Sequence, residues 1–223
     1  MRRHSTINAQ PSTSLSSVSE TIVREYFELH EFLVRQHRKY IVQTKREDDD
    51  IDFFLLNPHP QKREVAMPFV LASPDLPFVE RAIVVVKGWH TGTFSSAVLT
   101  HAPEIFRFVE AKVFQQAVRA FGQDGAPTKI LVVPALPHGA PSRDQSIALL
   151  RSKGVDAVIP FRTMLTDLVE RTEVNRNYQK SDLLQIIRIL KNYDFFKEAQ
   201  MELFKSKRKR RKYSRQSTEP STD

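Results

Sequence analysis

Residues 81–90, RAIVVVKGWH, decide the fold. Ala82 to Val86 form an unbroken apolar run, mostly β-branched, too short for a buried helix and without a period of its own. Such a run reads as a strand covered on both faces and therefore central in a sheet. Upstream, IDFFLLNP at 51–58 reads as a second strand, which Asn57-Pro58 stops. It is preceded by the acidic turn REDDD and by FLVRQHRKYIVQ at 32–43, a third strand-like segment. Downstream, KILVVPAL at 129–136 repeats the buried-strand pattern.

Helices are expected around these strands. Ser17 and Glu20 have capping-box spacing, and Ile22, Val23, Tyr26 and Phe27 recur at helical intervals, which predicts a first helix over 19–30 ending at His30 and Glu31. Pro103 is a favourable first-turn residue. The segment after it places Ile105, Val109, Val113 and Ala117 on one face and ends at Gly122, predicting one long helix. Further on come a helix over 142–153, a short strand VDAVIPF at 155–161, a helix over 162–173 and a strongly amphipathic helix over 181–204. The organisation read from this pattern is a polar arm (1–18), one α/β domain (19–175), the amphipathic helix (181–204) and a basic tail (205–223).

Composition limits the functions available. A chain of 223 residues with 40% hydrophobic content can bury a core. Cysteine is absent, which removes disulfides, thiolate metal sites and a cysteine nucleophile. The opening residues lack the apolar stretch of a secretory signal, and no window offers the about 20 apolar residues that span a bilayer. A cytoplasmic location is expected, with nucleoid association, or a nuclear location in a host that has a nucleus, as the alternatives. The net charge of +8 is local: KSKRKRRKYSR at 205–215 holds that many Lys/Arg and no acid, so the remainder is close to neutral. No GxxxxGK[ST] or GxGxxG loop occurs, so nucleotide hydrolysis by that route is not expected.

Two ionisable side chains interrupt the apolar strands: Asp52 at the head of one and Lys87 at the foot of the next. A charge in a buried strand is costly unless it is paired or holds a metal. If these strands are antiparallel neighbours, the start of one lies beside the end of the other, and Asp52 and Lys87 share one edge of the sheet.

At these residues the chain resembles the PD-(D/E)XK nuclease superfamily, most closely in pattern the archaeal Holliday-junction resolvase-like proteins. The resemblance covers about Glu20 to Leu136. It implies a restriction-endonuclease-like αβββαβ core with a mixed central sheet, here followed by a C-terminal helix and the tail. It further implies that an acid on the first helix, an aspartate heading the second strand and a Glu-x-Lys pair ending the third hold Mg²⁺ or Mn²⁺ and activate water. Carried over by residue, Glu20 matches the helix acid, Asp52 in "DID" the strand aspartate and Lys87 in "VVVKGWH" the lysine. Val85 stands at the glutamate position. Some members supply that carboxylate from the helix after the third strand, which here opens with Glu104.

The function implied by the resemblance is that of a Mg²⁺-dependent nuclease-like protein acting on DNA phosphodiesters, with Asp52, Lys87, Glu104 and Glu20 as candidate catalytic residues and Asp52, Glu104 and Glu20 as candidate metal ligands. Trp89 and His90 are positioned to meet a base or a phosphate. Lys207, Arg208, Lys209, Arg210, Arg211 and Lys212 suit salt-sensitive phosphate contact without sequence preference. The alternative is a nuclease-fold protein without activity that binds nucleic acid or proteins. Its helix at 181–204, with Leu183, Leu184, Ile187, Leu190 and Phe195, docks on the domain or pairs with a second protomer.

Overall fold

The computed structural model describes residues 13–36, 50–88, 90, 92–122 and 125–196, the first five as backbone alone. The chain runs α1 (Thr13–Leu29), β1 (Leu33–Gln36), β2 (Phe53–Leu56), a 3₁₀ segment (Ser73–Phe78), β3 (Arg81–Val86), α2 (Ser96–His101), a second 3₁₀ segment (Pro103–Val109) and α3 (Ala111–Ala120). It continues through β4 (Thr128–Val133), α4 (Ala140–Ser152), β5 (Ala157–Pro160), α5 (Phe161–Arg171) and α6 (Asp182–Asn192).

The five strands form one mixed sheet in the order β1-β2-β3-β4-β5. β1, β2 and β3 are an antiparallel meander, whereas β3, β4 and β5 run parallel. RAIVVV is thus the central strand, as its pattern predicts, and both of its faces are covered. Ala82 and Val84 enter an apolar layer shared with α1, α5 and α6. Ile83 and Val85 enter the opposite layer with α2, the second 3₁₀ segment, α3 and α4. Each large aliphatic or aromatic side chain buried in these layers stabilises the fold by about 1.5–3 kcal/mol relative to its exposed state. Asn57 ends β2: its N–H donates to the Glu80 carbonyl at 2.8 Å and its side-chain oxygen accepts from His59 N–H at 2.9 Å.

Three expectations change. First, α1 starts at Thr13, so Ser17 and Glu20 lie inside a helix and form no capping box at its N-terminus. Its end is as expected: Glu31 takes φ 65°, the left-handed conformation that closes a helix, and Phe32 N–H returns to the Phe27 carbonyl at 3.1 Å. Second, the single helix expected over 104–122 is broken. Glu110 is extended at φ −60°, ψ 138°, and separates the 3₁₀ segment from α3. Ile105, Phe106 and Phe108 are all buried, more than one face of a straight helix can present to a layer. The helix that follows β3 is instead α2, capped by Ser95, whose hydroxyl accepts from Val98 N–H at 3.3 Å. Third, Phe195 is not part of a docking face. Leu184 and Ile187 of α6 are buried against the domain, whereas Phe195 is 66% exposed. The strand expected over 32–43 is present as β1, and its remainder from 37 on lies outside the described residues.

Candidate active site

The antiparallel register of β2 on β3 pairs Phe53 with Val84. One residue further towards the rim, Asp52 N–H donates to the Val84 carbonyl at 3.0 Å, and the Asp52 Oδ2 accepts from Val86 N–H at 2.7 Å. The next residue, Lys87, donates its N–H to the Val132 carbonyl of β4 at 3.1 Å. Asp52 and Lys87 therefore occupy the same edge of the sheet on adjacent strands, Lys87 two residues beyond Val85, the residue opposite Asp52. Both are half-buried.

Glu20 of α1 is tied to the edge of the same sheet through β1. Its Oε2 accepts from Gln36 Nε2 at 2.7 Å, and Gln36 is the β1 residue paired with Phe53 of β2. The preceding residue, Ser19, is buried and abuts Gly88, where a Cβ would overlap the Ser19 hydroxyl. Glycine at 88 thus lets α1 approach the end of β3 closely. The Ser19 hydroxyl is 2.9 Å from His90 Nε2, and the His90 ring stands edge-on to Phe161 with centroids 4.6 Å apart. Helix, meander and α5 meet at one rim through these contacts.

The other expected residues lie elsewhere. Val85 is 2% exposed, with its side chain in the apolar layer of α2 and α3, so β3 presents no carboxylate there. Glu104 is exposed in the first turn of the second 3₁₀ segment, and among the described residues no hydrogen bond or ion pair joins it to Asp52, Lys87 or Glu20. Trp89 and the basic residues Lys207, Arg208, Lys209, Arg210, Arg211 and Lys212 lie outside the described residues. Sequence reasoning missed Ser19 and Gln36. Ser19 was findable, since it continues the buried stripe of Val23 and Tyr26 at helical spacing; the partnership of Gln36 with a helix residue has no local signal. Among the described residues no group of three or more His, Asp or Glu side chains is disposed to hold a metal ion.

Beside the rim, at the ends of β4 and β5, opens a cleft of about 990 Å³ lined by Pro134 to His138, Arg143, Pro160, Arg162 and the outer side of α5. Polar contacts link its wall to α1. Tyr26 Oη is 3.0 Å from the Ser73 hydroxyl, His30 Nε2 donates to Asp167 Oδ2 at 2.8 Å, and Arg171 Nε donates to Asp167 Oδ1 at 3.1 Å. Burial holds the Tyr26 phenol well above its ordinary pKa. Burial also lowers the pKa of His30 below 6.5, partly offset by Asp167.

No family model, curated protein or solved structure matches this chain. The geometry of the rim therefore carries its functional reading. Among the described residues no helix is long and apolar enough to cross a membrane.

The lowered pKa of His30 sets a pH dependence of stability. Just below pH 6.5 the unfolded chain binds a proton at this position that the folded chain does not, so stability rises with pH across that window. It is fully present above pH 6.5 and is lost as pH falls through the lower folded value. Urea midpoints measured across this range should fall on acidification, and less so in His30→Gln; identical pH slopes for the two proteins would show that His30 does not contribute.

Proposed function

We propose that this chain is a restriction-endonuclease-like protein that acts on DNA phosphodiesters with a divalent cation held at the rim of Asp52 and Glu20. The observation that carries this reading is the antiparallel β2–β3 pairing, which places a carboxylate and a lysine together at the sheet edge. The helix, three-stranded meander, helical crossover and parallel fourth strand follow the order that the PD-(D/E)XK resemblance implies, which supports the same reading.

The donors present fit Mg²⁺, which keeps several waters and is commonly bound through one or two carboxylates. With Val85 offering none, those two are Asp52 and Glu20. Bound there, the cation would polarise a phosphoryl oxygen and lower the pKa of water. The protein's own residues do the positioning. Val86 N–H orients the Asp52 carboxylate, Gln36 orients Glu20, and Ser19 against Gly88 sets how far α1 stands from the strand ends. The Lys87 ammonium, one strand from Asp52, supplies positive charge where negative charge accumulates on the attacked phosphate.

Full-length protein incubated with labelled duplex, branched and single-stranded DNA in Mg²⁺ or Mn²⁺ tests the proposal. Cleavage should stop with chelator and fall at least about 100-fold in Lys87→Ala, the scale of losing one charge-stabilising group. Folded wild-type protein that cuts none of these substrates overturns it.

The burial of Val85 favours a second reading, in which the chain binds nucleic acid without cutting it. It is distinguished by salt-sensitive binding that survives Asp52→Ala and fails on deletion of residues 205–215.

A further inference from the structure

The cleft at the ends of β4 and β5 is connected to the candidate site through Arg162. Arg162 directly follows Phe161, whose ring packs on His90, and His90 is bonded to Ser19 at the rim. Arg143 lines the same cleft. Among the described residues neither Arg143 nor Arg162 has a side-chain hydrogen bond or ion pair. The acids of the cleft are placed differently. Asp167 is already engaged by His30 and Arg171. Glu170 lies eight residues beyond Arg162 on α5, about 12 Å along the helix axis. Among the described residues Arg143 and Arg162 are thus the arginines of the cleft not engaged by a carboxylate, and Arg162 is tied to the rim through Phe161 and His90.

The same cleft has an apolar floor to which Pro134, Ala135, Leu136 and Pro137 contribute. Its prolines have no N–H to offer, so the floor suits the flat apolar faces of sugars or bases, and the two guanidiniums suit phosphates, which they bind in forked geometry.

We infer that this cleft is a phosphate-binding extension of the candidate site, in which Arg143 and Arg162 hold backbone phosphates of the strand whose reacting phosphodiester lies at Asp52 and Lys87. The inference rests on the proposed nuclease-like function and specifies the path that function requires. Its register follows from sheet geometry. From the end of β3 to the end of β5 is two strand spacings, about 10 Å. Successive phosphates of one strand are spaced by at least the about 3.4 Å rise of the duplex axis, so the held phosphates lie no more than about three nucleotides from the reacting one.

The test is fluorescence anisotropy of a labelled 20-base-pair DNA with full-length protein across a salt series, comparing wild type with Arg143→Ala/Arg162→Ala. Both arginines are exposed, and circular dichroism verifies folding. Each phosphate neutralised contributes about 0.9 to the slope of log affinity on log salt, so the double variant should bind more weakly with a slope shallower by about 1.8. That difference reports the phosphates no longer held in the cleft whatever the basic tail contributes, because the tail is the same in both proteins.

Salt-dependent binding by wild type with an unchanged slope in the double variant overturns the cleft path alone and leaves the proposed function standing. Wild type that binds no DNA overturns both. A third arm, thermal melting with thymidine 5′-monophosphate, separates a strand from a free nucleotide. An arginine-dependent stabilisation by the nucleotide together with an unchanged DNA slope assigns the cleft to a small phosphate ligand and overturns the strand path.

Discussion

Asp52→Asn should keep the fold and lose at least about 100-fold of the cation-dependent cleavage rate, because even the outer-shell partners of a metal ligand typically contribute 10–100-fold. The asparagine oxygen can still accept the Val86 N–H that Asp52 Oδ2 accepts at 2.7 Å, so the end of β3 stays held while the negative charge is removed. Alanine does more damage. It leaves the Val86 N–H without its acceptor, which costs about 1–3 kcal/mol when the group is buried. Asparagine therefore isolates the chemistry and alanine adds a structural loss. Initial rates over a Mn²⁺ titration, with melting curves for both variants, check this. An asparagine variant that cleaves at the wild-type rate removes Asp52 from the candidate site.

Phe27→Ala should have the largest effect on stability, a loss of about 3–5 kcal/mol. Phe27 is fully buried, and its ring meets Tyr26 edge-on at 5.2 Å and Phe32 at 5.5 Å. These three rings join the end of α1 to the start of β1, and α1 carries Ser19 and Glu20 to the rim. A domain of this kind typically has about 5–15 kcal/mol in total, so the variant would be marginal. Urea unfolding measures the loss. A change below about 1 kcal/mol would mean that the neighbouring rings close the cavity, an outcome outside the usual range for a buried phenylalanine.

The parts of this architecture that were legible in the sequence are those written in one segment. The apolar run at 82–86 declared a central strand because both of its faces are buried. Asp52 and Lys87 could be assigned to one edge because antiparallel neighbours leave little freedom in where their ends meet. The readings that failed depended on contacts made at a distance. Ser17 and Glu20 imitate a capping box, yet Glu20 bonds Gln36 across a turn of the chain, a partner that no helical spacing reveals. The break at Glu110 likewise follows from burying Ile105, Phe106 and Phe108 together. The basic cleft draws on residues 72 to 171 and has no motif of its own.

The central strand carries one more consequence. Alternation normally guards the alignment of a strand, because a slip by one residue turns apolar side chains out to water. β3 has no such guard, since Ile83 and Val84 are both fully buried in opposite layers and a slipped copy would look equally oily on either side. Its alignment is instead pinned at the tips, by Asn57 N–H on the Glu80 carbonyl at one end and the Asp52 carboxylate on Val86 N–H at the other. The same carboxylate is thus both a clasp for the sheet and a candidate reagent, and a descendant of this chain that abandoned catalysis would still have reason to keep it.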